Sequence, residues 1–179
     1  MALTKLSLSN GQYYIGSEAP LGYFHGKFCY ILEGAKPEQD ALFELIIADR
    51  SNGFIYFRSS FFNGSYLAVN TEEDKAASLE EKRYFTGRLC LLETNKPSKL
   101  DATKFELFVP PMNDNFAKKA HFRAIIRSVR NQQYLSVKPG GNLFATENDP
   151  SLATVFIFLS LATAFIFKRF QIVCIFFGM

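Results

Sequence analysis

The chain of 179 residues has no tryptophan, two histidines and three cysteines. Each scarcity closes off a class of function. His25 and His121, with Cys29, Cys90 and Cys174, leave little material for a metal centre or a nucleophile–base pair, and none of them falls at CxxC, HxH or HExxH spacing. No serine lies in a GxSxG elbow. Gly22-Tyr-Phe-His-Gly26-Lys27 is one residue short of a phosphate loop, and Phe28 stands where that loop needs Ser or Thr. No catalytic residue, metal or cofactor is therefore expected. A net charge of +3 is too small for a general nucleic-acid binder. The first nine residues hold no apolar stretch long enough for a signal-peptide core, so reduced thiols and a cytoplasmic location are expected. In that setting the sequon Asn63-Gly64-Ser65 carries no meaning.

What the chain has in plenty is apolar mass: 48% hydrophobic residues, with twenty Phe and eight Tyr, against 21% charged. That suits one packed domain and excludes wholesale disorder. The apolar residues recur in three similar segments. The first opens Asn10-Gly-Gln-Tyr-Tyr-Ile-Gly-Ser17, the second Asn52-Gly-Phe-Ile-Tyr-Phe-Arg-Ser59, the third His121-Phe-Arg-Ala-Ile-Ile-Arg-Ser128. After each Ser come a turn and an apolar pair: Tyr23-Phe24, Tyr66-Leu67 and Tyr134-Leu135. A third run follows a glycine: Gly26-Lys-Phe-Cys, Gly87-Arg-Leu-Cys and Gly141-Asn-Leu-Phe. A fourth closes on a phenylalanine: Phe43, Phe105 and Phe156. Short runs separated by Gly, Pro and Asn predict strands, four in each of three units. Only the charged insertion Asp74–Arg83 offers a helical candidate.

Several residues are assigned from this frame. Cys29 and Cys90 share a repeat position with Phe144, which marks a core site rather than a ligand site. His25 is expected in a turn. Alternation turns Glu44 and Glu106 away from the face of Phe43 and Leu45, so both are expected to be solvated. From Asn115 to Thr146 there is no acid, while Lys118, Lys119, Arg123, Arg127 and Arg130 are present. Arg123 and Arg127 share a strand face, so these five residues form a candidate patch for an acidic partner. Phe61-Phe62-Asn63-Gly64 fills the first turn of the second unit. Two phenylalanines in a turn are costly unless one folds back or a ligand covers them. With Tyr84 they form the candidate ligand-binding set Phe61, Phe62, Asn63 and Tyr84.

Twelve short strands in three units, each closing on Phe, resemble a β-trefoil over residues 9–161, with repeats at about 10–48, 52–110 and 121–161. The resemblance implies an all-β fold in which six strands form a barrel and six a hairpin cap. Tyr134-Leu-Ser-Val137 and Gly141-Asn-Leu-Phe-Ala145 are similar in cadence to fascin-like actin-crosslinking trefoils. Leu8-Ser-Asn-Gly-Gln-Tyr-Tyr-Ile15 is similar to the opening of fungal trefoil lectins and trefoil protease inhibitors. The Gln-x-Trp signature of ricin-type lectins and the disulfides of plant Kunitz inhibitors have no counterpart here.

The resemblance implies a non-catalytic binding module, first a lectin-like carbohydrate binder, with a glycan or a protein surface as partner. The alternatives are actin crosslinking through the basic third unit and protease inhibition through Asn70–Thr86 or Pro110–Lys118, the latter stiffened by Pro110-Pro111. No nucleic-acid partner is expected. Residues 162–179 form an apolar tail that the repeats do not need. The uncharged run of sixteen residues from Leu152 to Phe167 is too short to span a bilayer, and Lys168-Arg169 separates it from Phe170–Phe177. The tail is thus expected to be an extension of the domain, with membrane contact as its other reading.

Overall fold

The computed structural model of the chain describes residues 3–6, 10–17, 29–30, 42–62, 64–70, 87–110, 122–138 and 143–160. Over these residues the protein is all-β. Its strands are β1 (Gly11–Ser17), β2 (Cys29–Tyr30), β3 (Leu42–Asp49), β4 (Phe54–Ser59), β5 (Ser65–Val69), β6 (Leu89–Glu93), β7 (Phe105–Phe108), β8 (Phe122–Ser128), β9 (Tyr134–Val137), β10 (Leu143–Glu147) and β11 (Phe156–Ser160). The only helical elements among them are three single 3-10 turns, Pro97–Lys99, Asp101–Thr103 and Pro150–Leu152. The insertion at 74–83, the tail at 162–179, His25 and His121 lie outside the described residues.

Turn chemistry sets the hairpins. Between β3 and β4, the Asp49 carboxylate accepts from the Ser51 amide at 2.8 Å and from the Asn52 side chain at 2.6 Å, and Gly53 takes a φ of +63°. An Asx turn followed by a left-handed glycine reverses the chain at low strain.

The sheet runs β10-β9-β8-β11-β1-β3-β4-β5-β6, with β2 paired to β1 and β7 paired to β4 and β8. Six of the strands each pair with two others of the same set: β1 with β3 and β11, β4 with β3 and β7, β8 with β7 and β11. Their registers repeat. Phe43 stands opposite Ser59, Phe105 opposite Ser128 and Phe156 opposite Ser17. On their other side the same three phenylalanines stand opposite Tyr13, Ile55 and Ala124, each four residues before the Ser of its own unit. The two ends of the sheet path also meet. Arg88 bridges Phe144, and the Ala145 amide donates to the Gly87 carbonyl at 2.8 Å.

One apolar cluster fills the interior. Phe43, Phe57, Phe105, Phe156 and Phe158 are fully buried in it, with Ile15, Leu45, Leu67, Leu89, Leu107, Ile126, Leu135 and Leu143. Phe57 packs on Phe105 and Phe158 at 5.6 and 6.2 Å between centroids, and Phe122 stacks on Phe158 at 4.8 Å. A smaller cluster lies on the outer face of β8. Phe108, Ile125 and Tyr134 are buried there, with Leu3, Ala153 and Val155 packed against them.

Two expectations are corrected. Glu106 is buried rather than solvated, because the outer face it points to is covered by residues 3–6 and the Phe108–Tyr134 cluster. Cys90 is half-buried rather than in the core: Leu89 takes the inward position on β6, and alternation puts Cys90 on the other face. Leu143 and Phe144 divide in the same way on β10. Residues 3–6, which the repeats do not require, pair with β7: the Leu6 amide donates to the Leu107 carbonyl at 2.8 Å, and the Val109 amide to the Thr4 carbonyl at 2.9 Å.

Candidate functional site

The turn from β4 to β5 carries Phe61 and Phe62. Its backbone is tied at several points. Phe62 donates its amide to Ser59 Oγ at 3.0 Å, Ser60 to the Leu42 carbonyl at 3.0 Å, Ser65 to the Phe62 carbonyl at 3.1 Å and Thr94 to the Gly64 carbonyl at 3.2 Å. Gly64 supplies a φ of +76°, which favours glycine. On this frame Phe61 is 58% exposed and Phe62 39%, with the two rings edge to face at 4.9 Å. Neither ring is buried against the core. Asn63 and Tyr84, the other two members of the candidate ligand set, lie outside the described residues.

Beside this turn, the register sets Glu44 opposite Arg58, Arg58 opposite Tyr66 and Tyr66 opposite Leu92. Arg58 and Glu44 form an ion pair, which with burial opposing it raises the Arg58 guanidinium above its usual range. Tyr66 packs edge-on to Tyr56 at 6.1 Å, and burial, the largest influence, raises the Tyr56 phenol. Leu92 is exposed. Arg58, Tyr66 and Leu92 were not among the candidates. The signal lay in alternation: Leu67 returns to the core, so Tyr66 must face outward.

The basic patch is placed in part. Arg123, Ile125 and Arg127 alternate with core residues on β8, so the two arginines share the outer face. Arg130 is exposed in the turn beyond Ser128. Arg123 is half-buried opposite Ile157. Lys118 and Lys119 lie outside the described residues. The Arg127 charge is already matched. Its Nε and Nη2 donate to Glu106 Oε2 at 2.9 and 2.6 Å, and its guanidinium lies over Phe108 at 4.9 Å and Tyr134 at 5.9 Å. Lys5 Nζ donates to Glu106 Oε1 at 2.6 Å. Burial alone would push the Glu106 carboxyl up, but the hydrogen bonds and charges of Lys5 and Arg127 outweigh it and hold the group below its ordinary value.

A second charged cluster follows on β9 and β10. Glu147 accepts from Lys138 and from Ser136 Oγ, the latter at 3.0 Å, and the hydrogen bond from Lys138 is the main reason its carboxyl is lowered. Lys138 belongs to the acid-free window of the sequence, yet its partner stands one residue past the end of that window. Among the described residues no group of three or more His, Cys, Asp or Glu is placed to hold a metal ion, and no helix is long and apolar enough to cross a membrane. No protein-family model matches the chain, and no curated protein matches it significantly.

Proposed function

We propose that the chain is a β-trefoil serving as a non-catalytic, lectin-like binding module, with the Phe61–Phe62 turn as its ligand-contacting surface. The trefoil reading is supported by the register. The closing Phe of each unit stands opposite the Ser of the next, and the third unit returns to the first through Phe156 and Ser17. Six strands paired in such a cycle would form a barrel without free edges, and the contact between Gly87 and Ala145 would belong to the hairpin cap.

The binding reading rests on one observation: two aromatic rings are held edge to face and exposed on a turn whose backbone is fixed by hydrogen bonds. Exposed rings on a rigid frame lose little conformational freedom on binding, and they offer flat apolar faces of the kind a pyranose ring covers. The Tyr66 hydroxyl and the Glu44–Arg58 pair on the neighbouring face supply polar groups for sugar hydroxyls. The actin-binding reading draws on the basic outer face of β8, and it is weakened by the commitment of Arg127 to Glu106. A cytoplasmic location would suit either partner.

A glycan array probed with the full chain and with a Phe61→Ser/Phe62→Ser variant tests the proposal. The wild type is expected to retain a defined glycan set that the variant loses while melting at the same temperature. A blank array, with co-sedimentation on actin filaments or inhibition across a protease panel, would replace this reading with one of the others.

A further inference from the structure

Strand β7 has one edge paired along its whole length with β8, while its other edge meets β4 only at Ile55 and Phe105. The rest of that second edge is occupied by residues 3–6. Thr4 and Leu6 make the two main-chain hydrogen bonds, and Lys5 stands opposite Phe108. The side chains divide as they would in a bound peptide. Leu3 enters the outer cluster of Phe108, Ile125 and Tyr134, and Leu6 packs against the main core.

Lys5 enters a cage built for an ammonium group. Its Nζ donates to Glu106 Oε1 at 2.6 Å and to the Asn52 carbonyl, and it lies 5.2 Å from the centre of the Phe54 ring. A methyl group on Gly53 would come within 3.1 Å of Lys5 Cε, so that glycine leaves room for the lysine stem. Arg127 grips Glu106 through two further hydrogen bonds. The carboxylate therefore stays charged and oriented when Lys5 leaves, and the cage is organised in advance of its occupant.

We propose that this edge of β7 is a peptide-recognition groove that accepts an extended Leu-x-Lys-Leu segment of another polypeptide by strand addition, with residues 3–6 as its tethered competitor. Main-chain hydrogen bonds would give affinity, and the lysine cage with its two flanking apolar sites would give specificity. A short segment held to β7 by two main-chain hydrogen bonds opens locally at low cost. The tether nevertheless holds them at an effective concentration on the order of millimolar, so an outside peptide competes well only once the resident segment is weakened. The proposal concerns a different face from the Phe61–Phe62 turn and stands independently of it.

The test is fluorescence anisotropy of a labelled peptide spanning residues 2–8, titrated with the full chain as wild type and as Lys5→Ala. The peptide is expected to bind the Lys5→Ala chain at least tenfold more tightly than the wild type. Replacing the lysine of the peptide by alanine, or Glu106 of the Lys5→Ala chain by glutamine, is expected to weaken that binding at least tenfold. Circular dichroism checks that each variant is folded, and Leu3→Ala weakens the resident segment without touching the cage if Lys5→Ala is not. The proposal is overturned if folded variants bind the peptide no better than the wild type, or if the lysine-free peptide binds equally well.

Discussion

Glu44–Arg58 and Glu106–Arg127 are the same pair in two places. Each joins the residue after a closing Phe to the residue before the next unit's Ser. Their surroundings differ. The Glu44 side chain is 32% exposed, whereas that of Glu106 is 7% exposed and shares its charge with Lys5 as well. In the third such position, Gly16 faces Ile157 and there is no charge at all. The ion pair is therefore dispensable for joining units, while the buried Phe is present at all three positions. Sequence position sets which side chains meet, and the covering on the outer face sets what the meeting is worth.

The sharpest way to break this comparison is at the phenylalanines. Phe43, Phe105 and Phe156 are each fully buried in equivalent registers. Phe→Ala at any one is expected to cost about 3–5 kcal/mol in a denaturant melt. A neutral result at one position would end the equivalence of the three units.

Glu106→Gln against Glu44→Gln comes next. Glu106 accepts three charge-assisted hydrogen bonds in a covered site, so its loss is expected to cost about 1.5–3 kcal/mol. The exposed Glu44 pair should cost within about 1 kcal/mol. The same contrast has a pH signature. Because the folded-state value of Glu106 lies below the ordinary 4.5, its stabilisation is fully present above 4.5 and is lost as pH falls through the lowered value. Stability measured from neutral pH downward should therefore fall less steeply below about pH 4.5 in Glu106→Gln than in the wild type. Equal slopes would remove Glu106 from the acid response.

Gly87 and Gly64 make a smaller contrast. Both have positive φ, at +80° and +76°. A Cβ on Gly87 would lie 2.7 Å from the Ala145 carbonyl oxygen, whereas one on Gly64 meets nothing within 4 Å. Alanine at either bears backbone strain of about 1–3 kcal/mol. Alanine at Gly87 must also disturb the contact between β6 and β10, so thermal melts should rank Gly87→Ala as the more damaging.

Much of this architecture is legible along the sequence because it repeats locally. Ser17, Ser59 and Ser128 end their strands as expected, and Leu89 and Leu143 return to the core two residues after a repeat glycine position. The misreadings share a cause. Alternation correctly turns Glu106 to the outer face, but that face is covered by residues about a hundred positions earlier in the chain. Arg127 reads as available in the acid-free window because its acid lies on a different strand, 21 residues away. Local periodicity reports direction, and only tertiary pairing reports what stands there. Asn63-Gly64 between two apolar runs makes the turn legible, but not that both rings stay exposed, because spacing does not report whether a turn ring folds back on the core.

That turn gives the prediction with the smallest effect on stability and the most direct bearing on function. Phe105 and Phe61 are the same residue in opposite environments, one fully buried and the other 58% exposed. The hydrogen bonds that hold the described residues of this turn run through the backbone and Ser59 Oγ, not through a phenylalanine ring. Phe61→Ser is thus expected to change unfolding free energy by no more than about 0.5 kcal/mol, the range of ordinary surface substitutions. The edge-to-face contact with Phe62 adds about 0.5–1.5 kcal/mol where such a pair is well packed, and exposure to water reduces that contribution. Binding to whatever ligand the array identifies should weaken at least tenfold in the same variant. A loss of 2 kcal/mol or more in the melt would mean that the ring pair staples the β4–β5 turn, and its exposure could no longer be read as a mark of ligand contact.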